Sequence, residues 1–130
     1  MIAVSPAASA AMMQALGTLL DGASVSLYAG TRPAPGGTVT TLVATCALPA
    51  PCGSVGSGDL VLLASAQGQI VSASAPTWAR LFTAGGAWVL DCDVRLVGDA
   101  NAGQELVIDA PALYPGAFLV IGSGAFTARP

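Results

Sequence analysis

Two carboxylates in the second half of the chain have a spacing that acid–base chemistry could use. Asp91 and Asp93 are residues i and i+2 of an alternating segment, so a β-strand would place both on one face, about 7 Å apart. A general acid at neutral pH needs a raised pKa. Arg80, opposite Asp91 in the predicted pairing, and Arg95, two residues beyond Asp93, would instead keep both carboxylates ionised. A cross-strand charge ladder is the favoured interpretation, a partner interface the second and catalysis the last.

Other catalytic and metal-binding patterns are incomplete. The chain contains no histidine, which excludes Ser-His-Asp and Cys-His nucleophile systems and any histidine-ligated metal. Residues 99–105 (DANAGQE) resemble a calcium loop but lack its full ligand set, and are predicted to be a polar loop between strands. Residues 53–58 (GSVGSG) have the glycines of a phosphate-binding loop but no lysine, and are predicted to be a flexible connection. We therefore predict that the protein is not an enzyme and binds no cofactor or metal.

The two aspartates belong to a predicted β-hairpin over residues 77–97. Gly85-Gly86 has the composition of a two-residue turn with positive φ at both positions, and this turn fixes the pairing on either side of it. The predicted inner face pairs Leu81 with Leu90, Ala79 with Cys92, Thr83 with Trp88 and Thr77 with Val94. The predicted outer face pairs Phe82 with Val89, Arg80 with Asp91 and Trp78 with Asp93.

The outer face of this hairpin combines aromatic rings with charged side chains, a composition that is enriched in interface cores. A proline- and glycine-rich loop at residues 30–37 (GTRPAPGG) should also lie on the surface, where loop tips often make contacts. The candidate interface residues are Trp78, Arg80, Phe82, Asp91, Asp93 and Arg32. For the rings of Trp78 and Phe82, two interpretations remain open: burial under another strand or the N-terminal helix, or contact with another subunit.

The rest of the chain predicts an all-β fold. From Ala10 to Leu20, apolar residues recur at spacings of three and four, which predicts one short helix with Met12, Met13, Leu16, Leu19 and Leu20 on one side. Periodicity then changes to two, which predicts about eight short strands in an antiparallel β-sandwich or jelly-roll-like barrel. These strands are 24–29, 40–48, 59–64, 69–75, 77–83, 88–97, 105–109 and 117–121, the last with a possible extension to 127. The chain is expected to be a single domain, residues 1–130, with an N-terminal arm and helix (1–22) and a β domain (23–127).

Composition indicates association. Only 8% of the 130 residues are charged and 54% are apolar, whereas roughly a quarter of an ordinary globular chain is charged. Such a surface favours a homo-oligomer, although the many alanines add little apolar area per residue. The net charge of -3, with arginines scattered along the chain, predicts no nucleic-acid partner and no membrane binding. Without a recognisable signal peptide or membrane span, the protein is expected in the cytoplasm where it is made. Its three cysteines, Cys46, Cys52 and Cys92, are predicted to be buried free thiols, and a bridge between Cys46 and Cys52 is the alternative.

Four segments together resemble a family of small virion proteins of tailed bacteriophages, with an LY-x-G start, a T-L-x-A-T strand, a T-W-x-R strand and a G-x-x-V-x-D-x-x-V strand. These elements match Leu27, Tyr28 and Gly30; Thr41, Leu42, Ala44 and Thr45; Thr77, Trp78 and Arg80; and Gly86, Val89, Asp91 and Val94. The resemblance extends from near Ser24 to near Thr127. The N-terminal helix and the loop between Cys46 and Cys52 lie outside the pattern.

The resemblance implies a structural protein of the virion: a minor capsid protein that decorates or cements the head. It implies a homo-oligomer, with a trimer favoured, that binds the major capsid protein, assembles in the host cytoplasm and resides on the head surface. The alternative is a tail or baseplate β-domain that binds a host surface glycan. Neither role carries a catalytic residue over to this chain.

Overall fold

The structure, a computed structural model, describes residues 5–55, 59–62, 66–96, 106–109 and 114–127. Within these ranges it is all-β with one N-terminal helix, as predicted. The elements are α1 Pro6–Leu20, β1 Ser24–Ala29, β2 Thr41–Ala47, β3 Gly53–Val55, β4 Asp59–Leu62, β5 Ala66–Gln69, β6 Trp78–Phe82, β7 Trp88–Leu96, β8 Leu106–Asp109 and β9 Phe118–Thr127. The predicted loop at residues 99–105 lies outside the described residues.

Helix α1 begins at Pro6 and not at Ala10, the predicted start, because Ser5 caps its N-terminus. Ser5 has extended backbone geometry, and its Oγ accepts a hydrogen bond from the Ala8 N–H at 3.1 Å. Pro6 occupies the first helical turn, where its lack of an N–H costs no hydrogen bond. Serine followed by proline is a typical helix start. The helix ends at Leu20, and Gly22 follows with a φ of +70°.

The helix buries a narrower stripe than predicted. Ser9, Met13 and Leu20 are buried and Leu16 is partly buried, with the spacings of three and four that define one helical face. Met12 and Leu19 were predicted on that side too, but they are 51% and 50% exposed. The face that contacts the sheet packs on β3 and β4, where Gly17 brings the helix close to Leu60.

The nine described strands form one curled sheet in the order β2-β1-β6-β7-β8-β9-β4-β3, with β5 also paired to β9. Neighbouring strands are antiparallel except β7 and β8, which are parallel over three residue pairs, Val94 to Leu96 against Leu106 to Ile108. This parallel pair departs from the predicted antiparallel pattern. Because β9 is long, it pairs with β8 along one edge and with both β4 and β5 along the other.

The two ends of this order approach each other, so the sheet is barrel-like. An isolated antiparallel bridge joins Ala44 in β2 to Ile70, just after β5, and the Val71 N–H donates to Val43 O at 2.7 Å. Gly68 allows the approach. A Cβ built on Gly68 would lie 2.4 Å from the backbone oxygen of Thr45 and 2.6 Å from the Cys46 sulfur. Glycine is therefore required here by space.

The core lies inside the curl of the sheet. In β1, for example, buried Val25 and Leu27 alternate with the partly exposed Ser24 and Ser26. The largest fully buried members of the core cluster are Leu20, Leu27, Leu60, Ile70, Leu81, Leu106, Ile108, Leu119, Ile121, Val25 and Val43. No helix in the described part of the chain is long and apolar enough to cross a membrane.

Two predicted segments differ from the structure. Residues 69–75 were predicted as a strand, but β5 occupies Ala66–Gln69 and only one bridge follows it. A serine-rich bend follows, in which Ser74 N–H bonds to Ser72 O. Conversely, Gly53–Val55 was predicted as a flexible connection and forms the short strand β3 beside β4. Tertiary pairing overrides local composition in both places.

Replacement of Gly68 tests the closure of the sheet. In Gly68→Ala the new methyl group would overlap backbone of β2, so we expect a loss of about 1 to 3 kcal/mol or more in the free energy of unfolding. Gly85→Ala is the matched control, because its Cβ would meet only Thr83 Oγ1, at 3.8 Å, and should change stability by less than about 0.5 kcal/mol. Urea unfolding measures both. Equal stability of the two variants would contradict the close approach of β5 and β2.

Candidate functional site: the outer face of β6 and β7

The predicted pairing of β6 and β7 is confirmed away from the turn. Leu81 pairs with Leu90, Ala79 with Cys92, Arg80 with Asp91 and Trp78 with Asp93. The predicted inner face supplies core residues, including Ala79, Leu81, Cys92 and Val94. The opposite face therefore carries the charges and the Trp78 ring, as the alternation predicts.

The turn itself was predicted wrongly. The Gly86 N–H donates to Thr83 O at 2.9 Å and the Thr83 N–H donates to Ala87 O at 2.8 Å, so the loop has three residues rather than two. Gly86 has a φ of +94°, whereas Gly85 does not have a positive φ. A β-turn followed by one left-handed glycine is a common hairpin loop of this length. Thr83 Oγ1 also accepts from the Ala87 N–H.

A β-bulge compensates for the extra loop residue, so the strand pairs beyond the bulge keep the predicted register. The register shifts between Leu81 and Phe82, so Phe82 pairs with Trp88 instead of Val89. Trp88, predicted on the inner face opposite Thr83, is 47% exposed instead. The extra residue of a bulge changes which side of the sheet its neighbours face.

The connection between β1 and β2 covers the outer face of this hairpin. We call residues 30–40 the strap. The first residue of the strap, Gly30, accepts a hydrogen bond on its backbone oxygen from the Thr77 hydroxyl. The last residue, Thr40, donates from its hydroxyl to the backbone oxygen of Ala29 in β1. Because β1 pairs with β6, the strap passes from the edge of β1 across β6 and contacts β7. The strap contains the proline- and glycine-rich loop, which is largely exposed, as predicted.

Asp91 binds the hairpin and the strap together. Its Oδ1 accepts from Arg80 Nε at 2.8 Å and from Trp88 Nε1 at 3.1 Å. Its Oδ2 accepts from Arg80 Nη2 at 3.1 Å and from the Gly36 N–H of the strap at 3.2 Å. The side chains of Arg80 and Asp91 are only 8% and 5% exposed. This buried, bidentate pair has the geometry of a strong charge-assisted hydrogen bond.

The electrostatics of the pair oppose proton transfer. Burial acts to raise the pKa of the Asp91 carboxyl, but the hydrogen bonds from Arg80, Trp88 and Gly36 outweigh it and lower the pKa below its ordinary value. The same hydrogen bond raises the pKa of the Arg80 guanidinium. A carboxylate held ionised and already accepting four hydrogen bonds is a poor general acid. The geometry fits the predicted charge ladder better than an acid–base pair.

Trp78 lies at the centre of a second cluster beneath the strap. Its ring stacks on Tyr28, with centroids 4.5 Å apart and planes inclined by 20°, and the Arg80 guanidinium carbon lies 5.3 Å from the Trp78 ring centroid. Its indole Nε1 donates to Thr40 Oγ1 at 2.9 Å. Trp78 has no exposed surface. Strand β1 and the strap therefore bury this ring.

The six candidate interface residues divide into a covered group and an exposed rim. Trp78 and Arg80 are buried within the chain itself. Of the two interpretations of the Trp78 ring, the single chain therefore shows burial, and Arg80 does not offer the surface that a candidate interface residue should have. The Asp91 carboxylate is covered too, and Phe82 is half-buried. Arg32 of the strap and Asp93 form an ion pair at 3.3 Å, with side chains 41% and 48% exposed.

Sequence reasoning missed four contributors to this site: Trp88, Gly36, Thr40 and Tyr28. Trp88 was missed because the bulge that turns it outward leaves no mark in the alternation of residues. Gly36 and Thr40 belong to a segment without periodicity, so nothing showed where the strap would lie. A signal for Tyr28 did exist, since it follows Ser24 and Ser26 at alternate positions of β1, the side opposite Val25 and Leu27.

The three cysteines belong to the buried core. Cys46, Cys52 and Cys92 are buried, as predicted. Burial raises the pKa of the Cys46 thiol to about 11, and burial together with a hydrogen bond to Asp21 raises that of Cys52 to about 11. Thiols with raised pKa values are poor nucleophiles at neutral pH. Among the described residues, no group of three or more acidic, cysteine or histidine side chains could hold a metal ion.

Comparison of the chain with protein-family profiles, curated proteins and solved structures found no match. The similarity to phage virion proteins therefore remains a prediction from the quoted motifs. What the geometry itself establishes is a covered charge pair, a strap fixed over it, and a rim formed by Trp88, Arg32 and Asp93.

Two matched substitutions on β7 separate the buried pair from the exposed one. Asp91→Asn leaves the Arg80 charge buried without its counter-ion, so we expect a loss of about 3 to 5 kcal/mol in the free energy of unfolding. Asp93→Asn removes an exposed ion pair and should cost less than about 1 kcal/mol. Urea unfolding of both variants at neutral pH checks this. If the two variants lost similar amounts of folding free energy, the buried Arg80–Asp91 pair would be no more important for stability than the exposed Arg32–Asp93 pair.

The lowered pKa of Asp91 also predicts an acid dependence. Its ordinary pKa is 3.8, so below that pH the unfolded chain binds a proton that the folded chain excludes, and stability falls as pH falls. The stability difference between the wild-type protein and Asp91→Asn should be constant from neutral pH down to about pH 5 and shrink below the ordinary pKa. Urea unfolding across this range measures it. A difference that stays constant into strong acid would contradict the lowered pKa.

Proposed function

We propose that the protein is a structural component of a tailed-bacteriophage virion: a decoration or cement protein of the head. In this role it forms a homo-oligomer, with a trimer favoured, and binds the major capsid protein. The observation that carries the proposal is the apolar, charge-poor exterior of an all-β chain. The motif resemblance from Leu27 to Val94 supplies the virion context.

Exposed apolar side chains support association. Within the described residues, eight large hydrophobic side chains are exposed: Met12, Leu19, Val39, Leu42, Val71, Trp88, Tyr114 and Phe118. Single exposed hydrophobic residues are ordinary, but several on neighbouring segments form the kind of patch that associates.

Backbone pairing brings several of these residues onto adjacent segments. Val71 donates its N–H to Val43 O, next to Leu42 on β2. Phe118 on β9 pairs with Gln69, two residues before Val71. We call Leu42, Val71 and Phe118, with exposures of 39%, 59% and 52%, the apolar patch. A patch carried by three neighbouring segments is a suitable contact for another subunit or for the capsid.

The first test is the location of the protein in phage particles. An antibody against the purified chain, used in immunoelectron microscopy of virions from the strain that encodes it, should label heads in many copies. Cryo-electron microscopy of the same particles should then show density for the chain on the shell. Labelling of tails alone would replace the head role with the tail alternative, and particles without the chain would contradict both.

The second test is the oligomeric state. Light scattering of the purified protein should give an oligomer, and the double variant Val71→Ser, Phe118→Ser should dissociate it while remaining folded, because both side chains are exposed in the single chain. Met12→Ser, which removes an equally exposed side chain from the helix, is the control and should leave the oligomer intact. If the wild-type protein were a monomer, its apolar exterior would no longer support the proposed association.

A further inference from the structure

The tip of the strap is a turn that forms within the strap itself. The Gly37 N–H donates to Ala34 O at 2.8 Å, and Gly36 between them has a φ of +73°. Proline at the second position and a left-handed glycine at the third are typical of a type II β-turn, and Pro35 and Gly36 occupy these positions. The shape of the tip is therefore set by contacts within the strap.

The tip and Arg32 contact the hairpin through surface groups. The Gly36 N–H donates to Asp91 Oδ2 at 3.2 Å. A Cβ built on Gly36 would lie 3.6 Å from two atoms of the six-membered ring of Trp88 and 3.9 Å from a third, so the backbone of Gly36 lies against that ring. Arg32 pairs with Asp93 at 3.3 Å. The strap thus presents a hydrogen-bond donor, a bare backbone and a cation to β7.

The strap is not packed into the core. None of residues 30–40 is buried, whereas the Asp91 side chain that the tip contacts is only 5% exposed. Segments with few buried apolar contacts and with exposed hydrogen bonds open at a low cost in free energy. A buried carboxylate, by contrast, needs its hydrogen bonds satisfied. The face of β7 therefore favours a strap over it, but nothing in these contacts requires that strap to belong to the same chain.

We propose that the strap of a second copy of this chain occupies the face of β7 in exchange for the chain's own strap. The exchange rests on the association proposed for the apolar patch. Every copy carries the same strap and the same face, so exchange replaces the contacts of Arg32 and Gly36 with identical ones. Gly30 and Thr40 keep their hydrogen bonds to their own chain, and residues 31–39 cross to the neighbour.

The position of the strap favours a second copy over another partner. Leu42 of the apolar patch follows Thr40 by two residues, so a copy that docks on the patch lies beside the base of the strap. The shorter arm of the strap, from Gly36 to Thr40, is four residues long and spans at most about 14 Å when extended. The tip therefore reaches only a neighbour that is already close.

The exchanged segment is also too small to hold two copies together by itself. Residues 31–39 number nine, whereas a stable interface uses roughly 20 to 30 residues per partner. Contact through the apolar patch raises the effective concentration of the neighbouring strap. Exchange consequently follows association and does not replace it.

Charge reversal can distinguish exchange from closure on the same chain. Arg32→Asp places a carboxylate opposite Asp93, and Asp93→Arg places a guanidinium opposite Arg32, so each variant alone brings like charges together. When the two variants exchange straps, both contacts join opposite charges. The double variant, Arg32→Asp with Asp93→Arg, restores the pair within one chain but brings like charges together when it exchanges with the wild-type chain.

Native mass spectrometry of mixed oligomers measures the exchange. One member of each mixture is isotopically labelled, and the two members are unfolded together in urea and refolded at low ionic strength. For the two single variants, the ratio of mixed to unmixed oligomers should exceed the statistical ratio about threefold or more. For the double variant with the wild-type chain, it should fall below the statistical ratio by a similar factor. High salt should reduce both deviations, because the ion pair is exposed.

The two mixtures control for each other. Arg95, two residues beyond Asp93, is the same in all four chains, so its charge acts equally in every mixture. The mixture of the double variant with the wild-type chain remains decisive if a single variant fails to fold. Oligomers of statistical composition in both mixtures would overturn the exchange and leave the proposed association in place. A wild-type protein that forms no oligomer would contradict both.

Discussion

The outer half of this structure depends on one buried ion pair. Arg80 and Asp91 are nearly inaccessible, and removing two charges from water costs several kcal/mol per ion unless every polar atom finds a partner. Here the carboxylate accepts two bonds from the arginine, one from Trp88 and one from the backbone of Gly36. One of these four hydrogen bonds comes from the strap, so the carboxylate joins the strap to the hairpin.

The inner half depends on how closely the sheet can curl. Gly68 lets β5 approach β2, and the bridge between Ala44 and Ile70 follows directly from that approach. The strap connects β1 to β2. It therefore links the outer half of the structure to the inner half. A change in closure that moves β2 would also move Thr40, which receives the hydrogen bond from the Trp78 indole. Core packing and the arrangement of the outer face are thus mechanically coupled.

The sequence predicted the parts of the fold that follow from local alternation. The bounds of β1 and the core residues Ala79, Leu81 and Cys92 of the hairpin follow from a period of two. The cross-strand partners of Ala79 and Arg80 match the prediction because the bulge compensates for the longer loop. The sequence did not reveal the bulge beside Phe82, because the residues at this bulge are of the same types as those in regular strands. Nor did it reveal the course of the strap, which is set by hydrogen bonds to residues more than 30 positions away, such as Trp78 and Asp91. The sequence therefore placed Arg80 and Asp91 opposite each other correctly but placed Trp88 wrongly, since Trp88 was predicted on the inner face and is 47% exposed.

The apolar patch and the rim around Trp88 lie on different walls of the curled sheet. Trp88, Arg32 and Asp93 lie over β6 and β7, whereas Leu42, Val71 and Phe118 lie on β2, the segment after β5, and β9. In the strand order, β1 separates β2 from β6, and β8 separates β9 from β7. An association that covers the apolar patch therefore leaves the rim around Trp88 accessible. The wall over β6 and β7 carries the Arg80–Asp91 and Arg32–Asp93 pairs, whereas the other wall carries the apolar patch. Asp91 joins the first of these walls to the strap, because its carboxylate accepts a hydrogen bond from the Gly36 N–H.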